Sequence, residues 1–266
     1  MTAETWPNLV TMFFDQAAEK RDAPFLWAKI DGTYQDFSWS QAASTVEALA
    51  NGLKAAGVKS GDRVVLVSEN RPEWLIADMA IMAAGGISVP AYTTNTTADH
   101  VHILSDSGAV GVIVSNDRLA KSLIPAAEQV EDAKFIIGID ALSDTGTGTL
   151  QSHTWAAMTD SDDKAATIKD EAQSLKRTDT ACIIYTSGTG GAPKGVLLSH
   201  GAILHNCAGS ADAIEPLGLD GNVFLSFLPL SHSYEHMAGQ FFPVSIGAEI
   251  YYAEGVETLS ANMLEA

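Results

Sequence analysis

A chain of 266 residues, 46% hydrophobic and 18% charged, can bury a core without disulfide or metal staples, and it is not a disordered polypeptide. Its length fits one large α/β domain or two small ones. With 15 Lys and Arg against 33 Asp and Glu, the formal net charge is −18, which repels phosphate backbones and argues against nucleic-acid binding.

In chain order, Pro7 to Lys20 reads as a helix with Leu9, Val10, Phe13, Phe14 and Ala17 on one face. Phe25–Ile30 and Thr33–Phe37 flank Asp31-Gly32, a pair that favours a type I′ hairpin turn. Trp39, Ala42, Ala43, Val46, Leu49, Ala50 and Leu53 repeat at helical spacing behind a Ser38/Gln41 capping box, and Gly57 stops the helix. Strands are expected at Arg63–Ser68, Ile87–Pro90, Val110–Ser115 and Lys134–Ile139. The segments Pro72–Ala84, Ala98–Ser105 and Arg118–Val130 read as helices between them. Both faces of these strands are apolar, as in a mainly parallel sheet covered by helices.

Residues 140–164 are polar and rich in Gly and Thr, which predicts a surface excursion with one short helix around Trp155. A subdomain boundary is expected near Arg177, dividing 1–177 from 178–266. Cys182 and Cys207 sit among apolar or small residues, as reduced core thiols of a cytoplasmic protein do. The N-terminal residues carry neither a basic nor an apolar signal region. Trp74–Tyr92 is apolar but interrupted by Asp78, Gly85-Gly86 and Pro90, which argues against a transmembrane segment. Peripheral membrane association and oligomeric state stay open.

The most informative segment runs from Tyr185 to Gly195. An apolar strand (Ala181–Ile184) delivers a loop of glycines and hydroxyls, and a second strand (Val196–Leu198) carries the chain away. Gly188, Gly190 and Gly191 allow close backbone approach and an anion-binding nest of N–H groups. Thr186, Ser187 and Thr189 add hydroxyl donors. Lys194 is the sole Lys or Arg from Thr178 to Ala266, so the one cation of that acidic stretch lies inside the glycine loop. The pattern is neither Gly-x-x-x-x-Gly-Lys-Ser/Thr nor a dinucleotide-binding Gly-x-Gly-x-x-Gly.

Thr186-Ser-Gly-Thr-Gly-Gly-Ala-Pro-Lys-Gly-Val196 resembles the signature loop of the adenylate-forming superfamily, which includes acyl-CoA synthetases, peptide-synthetase adenylation domains and luciferases. The resemblance implies that Thr186, Ser187, Gly188, Thr189, Gly190, Gly191 and Lys194 hold the β- and γ-phosphates of ATP, and that Thr186 approaches a magnesium ion. Gly190 stands where the family usually has Thr, so one hydroxyl donor is missing. The implied fold is α/β, with layered, mainly parallel sheets and covering helices, as in the front part of an acyl-CoA synthetase-like large N-terminal domain.

Downstream, Leu228-Pro-Leu-Ser-His-Ser-Tyr-Glu235 resembles the next core motif of long-chain fatty acyl-CoA synthetases, and the resemblance sets His232 beside the acyl carboxylate and α-phosphate as a catalytic residue with Lys194. Tyr234 and Glu235 then support the helix. Ser68-Glu-Asn-Arg-Pro-Glu-Trp-Leu-Ile-Ala-Asp78 and Val89-Pro-Ala-Tyr-Thr-Thr94 are similar to the same branch. The implied substrates are a fatty acid, ATP with Mg2+, and CoA. The family's Tyr-Gly-x-Thr-Glu segment does not follow His236, and its C-terminal lysine is also missing. The chain therefore reads as a front fragment of an AMP-forming ligase, unable to adenylate alone. Two rival readings remain: a non-catalytic nucleotide- or partner-binding module, and a zinc hydrolase through His232-Ser-Tyr-Glu-His236, which spells H-x-x-E-H.

Overall fold

Asn8 starts the first helix. Its backbone is extended and its side chain accepts the Thr11 amide at 2.8 Å, after which α1 (Leu9–Lys20) buries Leu9, Val10, Phe13 and Phe14. The computed structural model describes residues 3, 5–143, 146, 148–160, 168–186, 192–218 and 221–266. Strands β1 (Pro24–Ile30) and β2 (Thr33–Ser38) pair antiparallel about Asp31 and Gly32, at φ 50° and 80°. Positive φ at both turn positions is the requirement of the expected type I′ turn. Ser38 and Gln41 form the capping box that opens α2 (Trp39–Ala55), with bonds of 3.2 and 2.8 Å.

The alternating segment follows its expected order: β3 (Arg63–Val67), α3 (Pro72–Ala83), β4 (Ile87–Pro90), α4 (Thr97–Ser107), β5 (Ala109–Val114), α5 (Asp117–Ala127) and β6 (Phe135–Gly138). The polar stretch after β6 holds more structure than its composition suggests. Gln151–Thr154 forms β7, parallel to β6, ahead of the expected short helix α6 (Trp155–Thr159) and a further helix α7 (Ile168–Ala172). Then come β8 (Thr180–Thr186), β9 (Lys194–Ser199), α8 (His200–Ile214), a 3-10 turn (Glu215–Leu217) and β10 (Val223–Ser226). One turn of helix, α9 (Ser233–Glu235), widens into a π-helical turn (His236–Phe241) and continues as α10 (Phe242–Ser245). Strand β11 (Glu249–Tyr252) and α11 (Leu259–Glu265) complete the chain.

Among the described residues the strands form two sheets, ordered β7-β6-β5-β3-β4-β8-β9 and β10-β11-β1-β2. All pairs are parallel except the β8–β9 and β1–β2 hairpins. Arg177 lies between α7 and β8, and β8 joins the larger sheet beside β4, so strands from both sides of Arg177 share one sheet.

Both faces of the central strands are covered, as their apolar runs require. Val64 and Leu66 point into a core built with α1, α2 and α3, which also takes in Phe25, Leu26 and Ile250 of the smaller sheet. Val65 and Val67 point the other way, into a cluster with Ile103 and Leu104 of α4 and Leu119 and Leu123 of α5. Phe25 and Trp39 stack in the first core, with ring centroids 3.5 Å apart. No described helix is long and apolar enough to cross a membrane.

Candidate functional site

Because β3, β4, β5 and β8 run parallel, Val67, Pro90, Val114 and Thr186 all end at one edge of the large sheet. Ligands of open α/β sheets bind outside this carboxyl edge, where loops are free to converge. Thr186 ends β8, and Lys194, which begins β9, is its register partner. Two expected phosphate ligands therefore face each other across the mouth of a hairpin, both exposed. Among the described residues no carboxylate forms an ion pair with Lys194. The expected Ser187, Gly188, Thr189, Gly190 and Gly191 lie outside the described residues.

Helix α4 ties down both strands where the loop leaves them. His102 Nε2 lies 2.8 Å from the Pro193 carbonyl, and one turn later Asp106 accepts the Tyr185 hydroxyl at 2.7 Å. Burial and that carboxylate push the Tyr185 phenol up. Gly195 lies against the same ring; a Cβ there would fall 2.8 Å from Ile183 Cγ2 and 3.1 Å from Tyr185 Cζ. Sequence periodicity gave no sign of either anchor, because the partners lie 91 and 79 residues apart.

The Ser68–Asp78 stretch becomes a hub at the end of β3. Glu69 accepts from Ser115, Asn116 and Arg118; burial opposes ionisation, yet these bonds hold its carboxyl below the usual range. Asn70 donates to Ser226 Oγ (3.1 Å) and the Leu228 carbonyl (2.7 Å), and accepts the Leu230 amide (3.2 Å). Arg71 pairs with Glu73 and Asp140. Asp78, fully buried in α3, accepts from both His236 (2.9 Å) and Gln240 (2.8 Å).

His232 is exposed and acts as N-cap of α9, its Nδ1 accepting the Tyr234 amide at 3.1 Å. Tyr234 is 61% exposed, whereas Glu235 is buried and accepts from Ser226 Oγ (2.7 Å) and the Phe227 amide (3.2 Å). Burial raises the Glu235 pKa, and the Ser226 bond offsets part of the shift. This supporting role matches the expectation for Glu235. The zinc arrangement does not form. His236 commits its Nε2 to Asp78 and packs edge-on against Trp74, while His232 stays at the surface one turn away. Among the described residues no group of three His, Cys, Asp or Glu could hold a metal. The expected magnesium contact, Thr186, is exposed at the end of β8. Cys182 and Cys207 are buried and unpaired; burial pushes the Cys207 thiol up to about 12 and raises Cys182 as well, so neither is a nucleophile.

A parallel sheet with a glycine-rich hairpin at its carboxyl edge, followed by a second motif held against the same edge, defines an adenylate-forming domain. The model of the AMP-binding enzyme family matches residues 13–266, and the chain belongs to that family. It is 34% identical over 226 residues to the long-chain-fatty-acid–CoA ligase FadD15 of Mycobacterium tuberculosis, covering 85% of this chain and 36% of that protein. Against the peroxisomal long chain acyl-CoA synthetase 6 of Arabidopsis thaliana, identity is 30% over 260 residues, covering 94% and 36%. The chain thus spans about a third of the length of these curated relatives. The fold is shared with the fatty acyl-adenylate ligase of L. pneumophila solved with acyl adenylate and pyrophosphate (TM-score 0.74, 21% identity, 98% of this chain and 42% of that one). It is shared also with O-succinylbenzoate coenzyme A synthetase of Bacillus subtilis solved with AMP (TM-score 0.70, 20% identity, 96% and 58%).

Proposed function

We propose that this chain carries the phosphate-binding part of the site of an AMP-forming long-chain fatty acyl-CoA ligase. In the first step a fatty carboxylate oxygen attacks the α-phosphorus of ATP and pyrophosphate leaves. In the second, the CoA thiol attacks the acyl carbon, AMP leaves, and a thioester forms. Such chemistry depends on positioning and charge neutralisation. In this reading Lys194, Thr186, Ser187, Gly188, Thr189, Gly190 and Gly191 hold the β- and γ-phosphates, with magnesium arriving on the nucleotide. His232 lies beside the acyl carboxylate and α-phosphate. The two buried, unpaired thiols fit a reducing, cytoplasmic setting.

The observation that supports this reading is a shared edge. The hairpin loop leaves from Thr186 at the carboxyl end of β8, and the segment before His232 is bonded to Asn70, three residues past the carboxyl end of β3. From Thr178 onward one cation, Lys194, faces the charge of a triphosphate. We therefore infer that the 266 residues bind ATP weakly and do not turn over unaided.

Calorimetric titration with MgATP tests the first part. Replacing Lys194 by Ala removes a charge-assisted contact and lowers affinity by roughly tenfold or more; unchanged affinity overturns the role of the loop. Fatty-acid-dependent ATP–pyrophosphate exchange by the chain itself would overturn the second. A non-catalytic partner-binding module is the competing reading, favoured by Val196 and Leu197 on β9, which are 44% and 65% exposed. It predicts that laurate leaves ATP affinity unchanged, whereas adjacent acid and nucleotide sites make the two affinities interdependent.

A further inference from the structure

Helix α3 begins two residues after Asn70 and carries Asp78 two turns in; both side chains are spent on one distant segment, residues 226–240. Asn70 uses its amide at both ends. It donates to the Leu228 carbonyl and accepts the Leu230 amide, so the backbone on either side of Pro229 is gripped by a single side chain. Its bond to Ser226 Oγ continues through that hydroxyl to Glu235, whose carboxylate also takes the Phe227 amide. The strand end and the following helix are thereby closed into a loop whose solvent-facing tip is His232–Tyr234.

Asp78 fixes the far side. One oxygen, Oδ2, takes both His236 and Gln240, four residues apart and both buried, at the two ends of the π-helical stretch. Widened turns of this kind lose regular backbone bonding and mark functional sites more often than ordinary helix does. A buried carboxylate that collects two side chains across the widened turn sets how far it opens. Gly239 lets Glu235 fold flat against the same turn, since a Cβ there would lie 2.5 Å from its Oε1. The two other buried oxygens of this pair, Asp78 Oδ1 and Gln240 Oε1, have no partner among the described residues.

We propose that Asn70 and Asp78 are positioning residues: α3 is the template that holds the 226–240 segment so that His232 is presented, in one orientation, at the carboxyl edge of the sheet. This rests on the reading of His232 given above. Neither residue touches the ligand. Each acts through the backbone and helix turn that carry the imidazole.

The test reads His232 itself, in the intact chain. Its Nδ1 accepts the Tyr234 amide, so that amide's hydrogen exchange and the ring nitrogen shifts report the orientation directly. In Asn70→Ala, Tyr234 exchanges roughly tenfold faster, the change that about 1.4 kcal/mol of lost restraint produces, and the His232 ring shifts move toward mixed tautomers. Asp78→Asn, which keeps an acceptor oxygen, gives a smaller change in the same direction and serves if the alanine variant does not fold. Val112→Ala, a cavity in the opposite core, controls for general destabilisation. If Tyr234 exchange in Asn70→Ala and Asp78→Asn is no faster than in Val112→Ala, and the ring shifts stay fixed, the proposal is overturned. Titration of the unmodified chain with laurate and MgATP separates the two levels: no binding there sinks the proposed function, while the positioning result stands or falls on the Tyr234 and His232 signals.

Discussion

His102 and Pro193 meet 2.8 Å apart, ring nitrogen to carbonyl oxygen, where α4 crosses the open end of the β8–β9 hairpin. This contact lies immediately before Lys194, so it fixes the point from which the cation reaches out. With Asp106 holding Tyr185 on the other strand, one face of α4 sets the width of the loop's mouth.

The His102→Ala variant should therefore weaken MgATP binding by roughly three- to tenfold, the ~0.7–1.4 kcal/mol of one neutral hydrogen bond. Calorimetric titration beside a thermal melt checks this. An unchanged affinity with a lowered melting temperature would show that the contact stabilises the hairpin without presenting Lys194.

Much of the frame was legible because it is written locally. Asp31-Gly32 and the Ser38/Gln41 pair each settle their geometry within four residues, and the structure reproduces both. The strands of the large sheet were legible because a strand covered on two faces must be apolar throughout. Strand β7 escaped notice for the opposite reason: Gln-Ser-His-Thr has no apolar face, and it exists by pairing with β6 at an exposed edge. The candidate site was legible as motifs and illegible as a network. Asp78 looked like an interruption in an apolar run, since its partner lies 158 residues downstream. Likewise, H-x-x-E-H spacing implies a shared face only on a regular helix. Here the single turn of α9 gives way to a wider one, and the two histidines go to different environments.

Glycine 239 offers a test whose sign is informative. Gly to Ala inside a helix ordinarily stabilises by up to about 1 kcal/mol. In Gly239→Ala the new methyl meets the Glu235 carboxylate, which bonds to Ser226 and Phe227 hold in place. The expected result is a loss of about 1–3 kcal/mol by overpacking, read from urea denaturation midpoints. Stabilisation instead would mean that Glu235 moves aside freely.

Strand β9 forms one edge of the large sheet, with Val196 and Leu197 exposed beside unpaired backbone groups. Such an edge is a template for strand addition, and an inserted charge blunts it. Leu197→Lys should lower concentration-dependent self-association, measured by sedimentation velocity at two or more loadings, with the melting temperature little changed. Equal association in both proteins would place the contact elsewhere.

Acid sensitivity follows from two histidines outside the site. Burial lowers the pKa of His100 and of His200 from 6.5 to about 4. His200 accepts the Leu9 amide on Nδ1, and His100 Nδ1 is buried without a partner, so both rings are held neutral. A depressed pKa contributes stability that is present above the unfolded value and lost as pH falls toward the folded one. The window therefore runs from pH 6.5 down to about 4. Near pH 5 the unfolded chain carries nearly two protons that the folded chain refuses, giving a slope of roughly 2–3 kcal/mol per pH unit. Glu235 runs the other way, its burial-raised carboxyl favouring the fold at low pH, and as one group it offsets only part of this loss. Urea titrations at pH 7, 6 and 5 should show the decline, and His100→Gln should remove about half of the slope between pH 6 and 5. A flat profile over that interval would mean that the two rings take up protons without leaving their sites.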